Sequence, residues 1–183
     1  MLLRKTRLRS NGTSTSVIVH AFGPATRSPV LVPPGLSPFI YGDVEQVCVD
    51  LFPLSSSRSA IFGGLMPLVK TLEMAGVPGE LWLDGSFLTE RINPKDVDVV
   101  LKVDAPVYNI GTQEQREAID WVIANQKPTL KCDSYVLMQY PPGDPLYDEG
   151  RWWYSYWHTK WGFSREDDPK GIVVLTLSAG NTP

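Results

Sequence analysis

The chain is predicted to fold as an α+β protein, a single mixed β-sheet with helices packed mainly on one face. Three observations lead there. Its 183 residues are close to the usual size of one domain, and 43% of them are apolar, enough to fill one sizeable core. Short runs rich in Val, Leu and Ile alternate with stretches whose apolar residues recur every three or four positions, so strands and helices interleave. No internal repeat or low-complexity linker divides the chain.

Residues 1–16 are polar and basic, with Arg4, Lys5, Arg7 and Arg9, and are expected to form a mobile arm ahead of an extended Val17-Ile18-Val19. Residues 17–183 would then be the single domain. Prolines at 24, 29, 33, 34 and 38 exclude regular helix from Phe22 to Pro38, which predicts an extended surface segment that could cover an edge strand. Asp43 is expected to cap a short helix that opens with Val44-Glu45-Gln46 and is stopped by Pro53. A longer helix is predicted from Ser55-Ser56-Ser57 through Ile61, Leu65, Leu68, Val69 and Leu72, with Gly76 as its C-terminal cap.

Glu80–Asp84 and Asp96–Lys102 read as the first two core strands, joined by a tight connection. A helix follows over about Thr112–Asn125, with Ile119, Val122 and Ile123 on its apolar side. Strands are then expected over Leu130–Met138 and Ile172–Leu177. Residues 151–161 hold six aromatics in eleven positions; as a helix they would place Trp153, Trp157 and Trp161 on one stripe, packed on the sheet. The same segment could instead stack a nucleobase, with Arg151, Lys160 or Arg165 meeting phosphates, or serve as a protein-partner surface.

A net charge of -3 argues against broad, sequence-independent nucleic-acid binding, which needs a strongly positive surface. No apolar run reaches signal-peptide or membrane-span length, so no membrane association and a cytoplasmic location are expected. Cys48 and Cys132 are far apart and lack metal-ligand spacing, which predicts small core residues.

The residues that speak of chemistry are Asp96-Val97-Asp98-Val99, separated from Gly85-Ser86 by nine residues. Strand side chains repeat direction every second residue, so an extended Asp96-Val97-Asp98 points both carboxylates to one face. Two close carboxylates resist joint ionisation unless a cation neutralises them. Magnesium is the natural partner, because it takes carboxylate oxygens and completes its shell with water and substrate phosphates. Gly85 and Ser86 close the preceding strand, where a residue without Cβ lets backbone approach a triphosphate and a hydroxyl can bond its oxygens.

In its small residue pair, its spacing and its Asp-apolar-Asp-apolar run, the chain resembles the DNA polymerase beta-type nucleotidyltransferase superfamily. Pro33-Pro34-Gly35, Arg58, Trp82–Phe87, Pro94–Asp98 and Lys170-Gly171-Ile172-Val173 are similar more narrowly to a small bacterial branch of it, over about residues 30–178. The resemblance implies a nucleotidyltransferase-like fold and transfer of a nucleotidyl group from a nucleoside triphosphate to an acceptor hydroxyl on a protein, RNA or small molecule. It implies two Mg2+ ions, with Mn2+ as a substitute, on Asp96, Asp98 and a third carboxylate from a later strand, for which Asp133 is the candidate; that third carboxylate would accept the proton of the attacking hydroxyl. Asp133 is also singled out by the low strand propensity of Asp. Gly85, Ser86, Lys95, Arg151 and Lys160 are the expected nucleotide-binding residues. Arg58 is expected in a salt bridge or on a phosphate, Asp84 in bonds to backbone donors of the turn or near the metal, and Lys170 beside a phosphate at the sheet edge. A second class stays open, a catalytically weak or inactive binding or regulatory protein on the same scaffold, such as an antitoxin or a defence-system component.

Overall fold

The computed structural model describes residues 4–10, 13–19, 30–164 and 167–177. Two strands near the start, β1 (Arg4–Ser10) and β2 (Thr13–Val19), pair antiparallel as a separate two-stranded sheet. The expected boundary at residue 16 therefore falls inside β2. Alternating Thr13, Thr15 and Val17 give that segment the β-branched pattern of a strand, and its polar composition hid this. Pro24, Pro29 and Arg165 lie outside the described residues.

The main sheet has five strands: β3 (Gly35–Phe39), β4 (Gly79–Asp84), β5 (Val97–Asp104), β6 (Cys132–Gln139) and β7 (Gly171–Leu177). Their spatial order is β3-β7-β4-β5-β6. The two outer pairs are parallel and the two inner pairs antiparallel, so the sheet is mixed. The sequence does not predict β3 as a strand, because Pro38 sits within it. At the sheet edge, where only β7 is its partner, a residue without an N–H donor is tolerated.

Each strand of the centre divides its side chains between two cores. Val97, Val99, Leu101 and Val103 join Leu81, Leu83, Val173 and Leu175 in the larger one. That core is covered by α1 (Tyr41–Glu45) with the π-helical turn Gln46–Asp50, by α2 (Arg58–Met74), and by α4 (Gln113–Ile123), which follows the short α3 (Ala105–Asn109). The opposite face buries Trp82, Val100, Leu137, Ile172 and Val174 beneath Trp157 and Trp161 of α6 (Tyr147–Gly162). One helix covers one face while the rest cover the other, as the sequence predicts.

The helix ends follow local chemistry. α2 closes with Gly76 at φ +65, its N–H bonding Glu73 O and the Val77 N–H bonding Leu72 O, both at 2.9 Å; this double bond satisfies the last carbonyls. α4 opens on a reciprocal cap, Gln115 N–H to Thr112 Oγ1 and Thr112 N–H to Gln115 Oε1. Asp43 is not the cap of the first helix. It lies one turn inside, and its carboxylate accepts the Ile40 N–H at 3.0 Å. Cys48 and Cys132 are buried in the larger core with free thiols, both pushed up to about 12 by burial.

Candidate active site

Strand register gathers four acids at one end of the sheet. Asp84 on β4 stands opposite Asp98 on β5, and Asp98 stands opposite Asp133 on β6. Directly opposed residues share a face, so the three form a row across three strands, on the side that α6 covers further along. Asp96 lies one residue before β5 and two before Asp98. The predicted pair thus gains two further members, Asp133 as expected and Asp84, which also accepts a hydrogen bond from the Gly85 backbone of the turn.

Two lysines meet this row from outside the strands. Lys127, in the single-turn α5 (Lys127–Leu130), bridges Asp96 Oδ2 at 2.8 Å and Asp133 Oδ2 at 2.7 Å. Lys170, immediately before β7, donates to both oxygens of Asp84 at 2.7 and 2.6 Å. Asp98 receives neither. Its carboxyl is pushed up to about 6, first by burial and then by the charges of Asp84, Asp96 and Asp133, against a weaker opposing pull from Lys127. Burial also raises Asp84, and the Lys170 ammonium opposes it.

Asp133 is the opposite case. Burial alone would raise it, but hydrogen bonds from Lys127 and Asn125, the Lys127 charge and the Tyr135 hydroxyl together hold it below its ordinary value. Asn125 Nδ2 reaches Asp133 Oδ1 at 2.8 Å from a left-handed backbone, φ +60, that Asn tolerates better than most residues. Asp133, the acid expected to take up a proton, is thus held ionised, whereas the carboxyl of Asp98 is pushed up.

Gly85 sits where the sequence places it, at the end of β4 beside the acids. A Cβ there would overlap Asp98 Oδ2, and its φ of +91 favours glycine, so two independent constraints fix the residue. Ser86 opens a short 3-10 turn through Leu88, partly exposed. Lys95 is exposed on the connection between β4 and β5.

The α6 cations divide. Lys160 bonds the Tyr156 hydroxyl at 3.0 Å, and its pKa is raised chiefly by that bond and also by Tyr135 and Asp98, which places it near the acids. Arg151 lies nine positions earlier, about 13 Å along the helix axis. It stands over the Tyr147 ring, on the helical turn that packs against Met138 and Tyr140 at the far end of β6, so it does not join the site. Trp157 and Trp161 are buried as predicted, whereas Trp153 is exposed together with Trp152 and Tyr156; the 3.6-residue turn carries the stripe's first member off the sheet.

Among the described residues Arg58 pairs with no acid. Fully buried, it donates to four backbone carbonyls: Cys48 at 2.8 Å, Phe87 at 2.7 Å, and Thr89 and Arg91 at 2.6 Å. Three of these belong to the connection between Gly85 and Asp96. Its role is to hold the loop that carries one half of the motif to the other.

The donor set suits a hard cation, since it consists of carboxylates with no sulfur or imidazole among them. Among the described residues no three acidic, His or Cys side chains are already disposed around a common metal point. The positive charge between Asp96 and Asp133 is instead the ammonium of Lys127. Sequence reasoning passed over Lys127, Asn125 and Tyr135; Asn125 and Lys127, on a loop before a proline, gave no signal of their own. Also among the described residues, no helix is long and apolar enough to cross a membrane.

Residues 24–176 match the model of the family of unknown function DUF6932, and the chain belongs to that family. Neither the curated proteins nor the solved structures yield a match.

Proposed function

We propose that this DUF6932 member is a magnesium-dependent nucleotidyltransferase of the DNA polymerase beta type, acting on a nucleoside triphosphate and an acceptor hydroxyl. The reading is carried by one observation, the register that lines up Asp84, Asp98 and Asp133 beside Gly85 with Asp96 next to them. Burying part of an acid row in this way raises the proton affinity of Asp98, a cost that a bound divalent cation removes.

Asp96, Asp98 and Asp133 would hold Mg2+, with Mn2+ as a substitute. When bound, the cation supplies charge neutralisation for the acids and the triphosphate. The chain's own residues do the rest. Gly85 and Ser86 offer close backbone approach and a hydroxyl to phosphate oxygens, and Lys160 offers an ammonium at the same end of the sheet. The acceptor oxygen forms a bond to the α-phosphorus as the bond to pyrophosphate breaks. Its proton passes to Asp133, the third carboxylate of the row, which its neighbours hold ionised and so able to accept it.

A second reading, a binding or regulatory protein on the same scaffold, is favoured by the exposed aromatic face of α6. Trp152, Trp153 and Tyr156 are 59%, 41% and 36% exposed, and Trp152 stacks on Tyr156 at 5.7 Å. Incubation with Mg2+ and each labelled triphosphate, alongside the Asp98→Asn protein, separates the two. Pyrophosphate release that falls by about a hundredfold or more in the variant supports transfer. Equal signals, or none with any triphosphate and a broad acceptor pool, leave the binding reading.

A further inference from the structure

The acid row carries a cation of its own. Lys127 Nζ lies 2.8 Å from Asp96 Oδ2 and 2.7 Å from Asp133 Oδ2, so one ammonium spans carboxylates from two neighbouring chain segments. We infer that Lys127 is a built-in competitor of the divalent cation: the two contend for the same pair of oxygens, and the lysine sets how tightly the cation binds.

The backbone around Lys127 is built to hold this position. Asn125 Oδ1 accepts the Lys127 N–H at 2.9 Å while its Nδ2 grips Asp133. The Gln126 N–H donates to Ser134 Oγ at 3.0 Å, and Ser134 Oγ donates to Val122 O at 2.8 Å, which clamps the loop to β6. The main chain of Lys127 is thus fixed beside Asp133. Its side chain is 49% exposed, so the ammonium can leave toward solvent without disturbing the core.

Charge favours the exchange. Four carboxylates, Asp84, Asp96, Asp98 and Asp133, face two ammoniums, Lys127 and Lys170, which leaves two formal negative charges when all are ionised. A divalent ion in place of Lys127 leaves one. Lys170 is poorly suited to the same part, because it is bonded to both oxygens of the buried Asp84 and is only 16% exposed. Once displaced, the Lys127 ammonium remains tethered beside the site, where an incoming triphosphate supplies new anionic oxygens. Triphosphate binding and cation binding then reinforce one another, since the triphosphate stabilises the swung-out lysine.

This inference rests on the metal site proposed above, and its test separates the two. Mn2+ affinity is measured by electron paramagnetic resonance of the free ion, without nucleotide, for the parent protein, Lys127→Met and Lys127→Arg. Lys127→Met keeps the stem and removes the charge; it should bind Mn2+ about tenfold more tightly. It should also bind ATP more weakly at saturating Mn2+. Lys127→Arg, a two-point donor, should bind Mn2+ no better than the parent, and this comparison decides the matter if Lys127→Met does not fold. Equal or weaker Mn2+ binding by Lys127→Met, with measurable binding by the parent, overturns the competition and leaves the site. Absence of Mn2+ binding by every form overturns both.

Discussion

Arg58 and Lys127 each tie separate segments of this protein together, and they do it in opposite ways. Arg58 is sealed in the interior against neutral carbonyls, with the Phe52 ring 3.7 Å from its guanidinium carbon. Lys127 is half-exposed against two carboxylates. The guanidinium is planar and permanently charged, and its fork can satisfy several acceptors at once, so it fixes a loop geometry. The ammonium is a compact point charge on a flexible stem, which another cation can replace. Permanence belongs to the loop that joins the motif halves, and exchangeability to the acids it serves.

Breaking the first region should have the largest effect. Arg58→Met leaves four carbonyls without their donor, those of Cys48 and Phe87 in buried bonds and those of Thr89 and Arg91 in partly buried ones, and we expect a loss of roughly 3–5 kcal/mol in urea unfolding. Arg58→Lys keeps the charge but not the fork, and should recover only a minor part. A loss under about 1 kcal/mol for Arg58→Met would mean that the guanidinium does not fix the loop.

Gly85→Ala comes next, with an expected loss of about 1–3 kcal/mol from the positive φ and the overlap with Asp98 Oδ2. Combining it with Asp98→Ala should return about 1 kcal/mol, measured as the coupling in a double-mutant cycle. Strict additivity would mean that the close approach is not felt.

Asp98 itself sharpens the comparison through pH. Its carboxyl binds a proton more readily folded, at about 6, than at its ordinary 3.8, chiefly through burial and then through the neighbouring acids. The native state therefore holds more protons than the unfolded one between those values, and stability falls as pH rises through that window. Asp98→Asn removes the fall. Above pH 6 the variant should gain about 1–2 kcal/mol relative to its standing at pH 4, after allowance for solvent screening. Thermal melts at pH 4 and 7.5 that shift in parallel for both proteins would contradict it.

The smallest effect is expected on the outer face of α6. Trp152→Ser, at a residue 59% exposed, should change stability by no more than about 0.5 kcal/mol in the same melts. A larger loss would show that the exposed aromatics belong to the fold rather than to a surface.

Much of the fold was legible because it rests on local rules. Short apolar runs marked β4, β5, β6 and β7, and Gly76 and Thr112 marked helix ends, each through chemistry contained within a few residues. The two-residue period of a strand put Asp96 and Asp98 on one side, and low strand propensity singled out Asp133. β3 escaped because Pro38 is acceptable only at an edge, and edges are defined by neighbours distant in sequence. Lys160 and Arg151 looked alike in sequence; the course of α6 past the sheet separated them.

The amino-acid order by itself determined the alternation of strands and helices, the pairing of acids two residues apart and the glycine beside them, because these depend on side-chain period and backbone freedom. Tertiary structure alone decided that Asp84 and Asp133 flank Asp98, that Arg58 binds carbonyls rather than an acid, and that Lys127 stands among the carboxylates. Electrostatic partners are set by distance in space, and a pair such as Lys170 and Asp84, 86 residues apart in the chain, has no local signature for a sequence to carry.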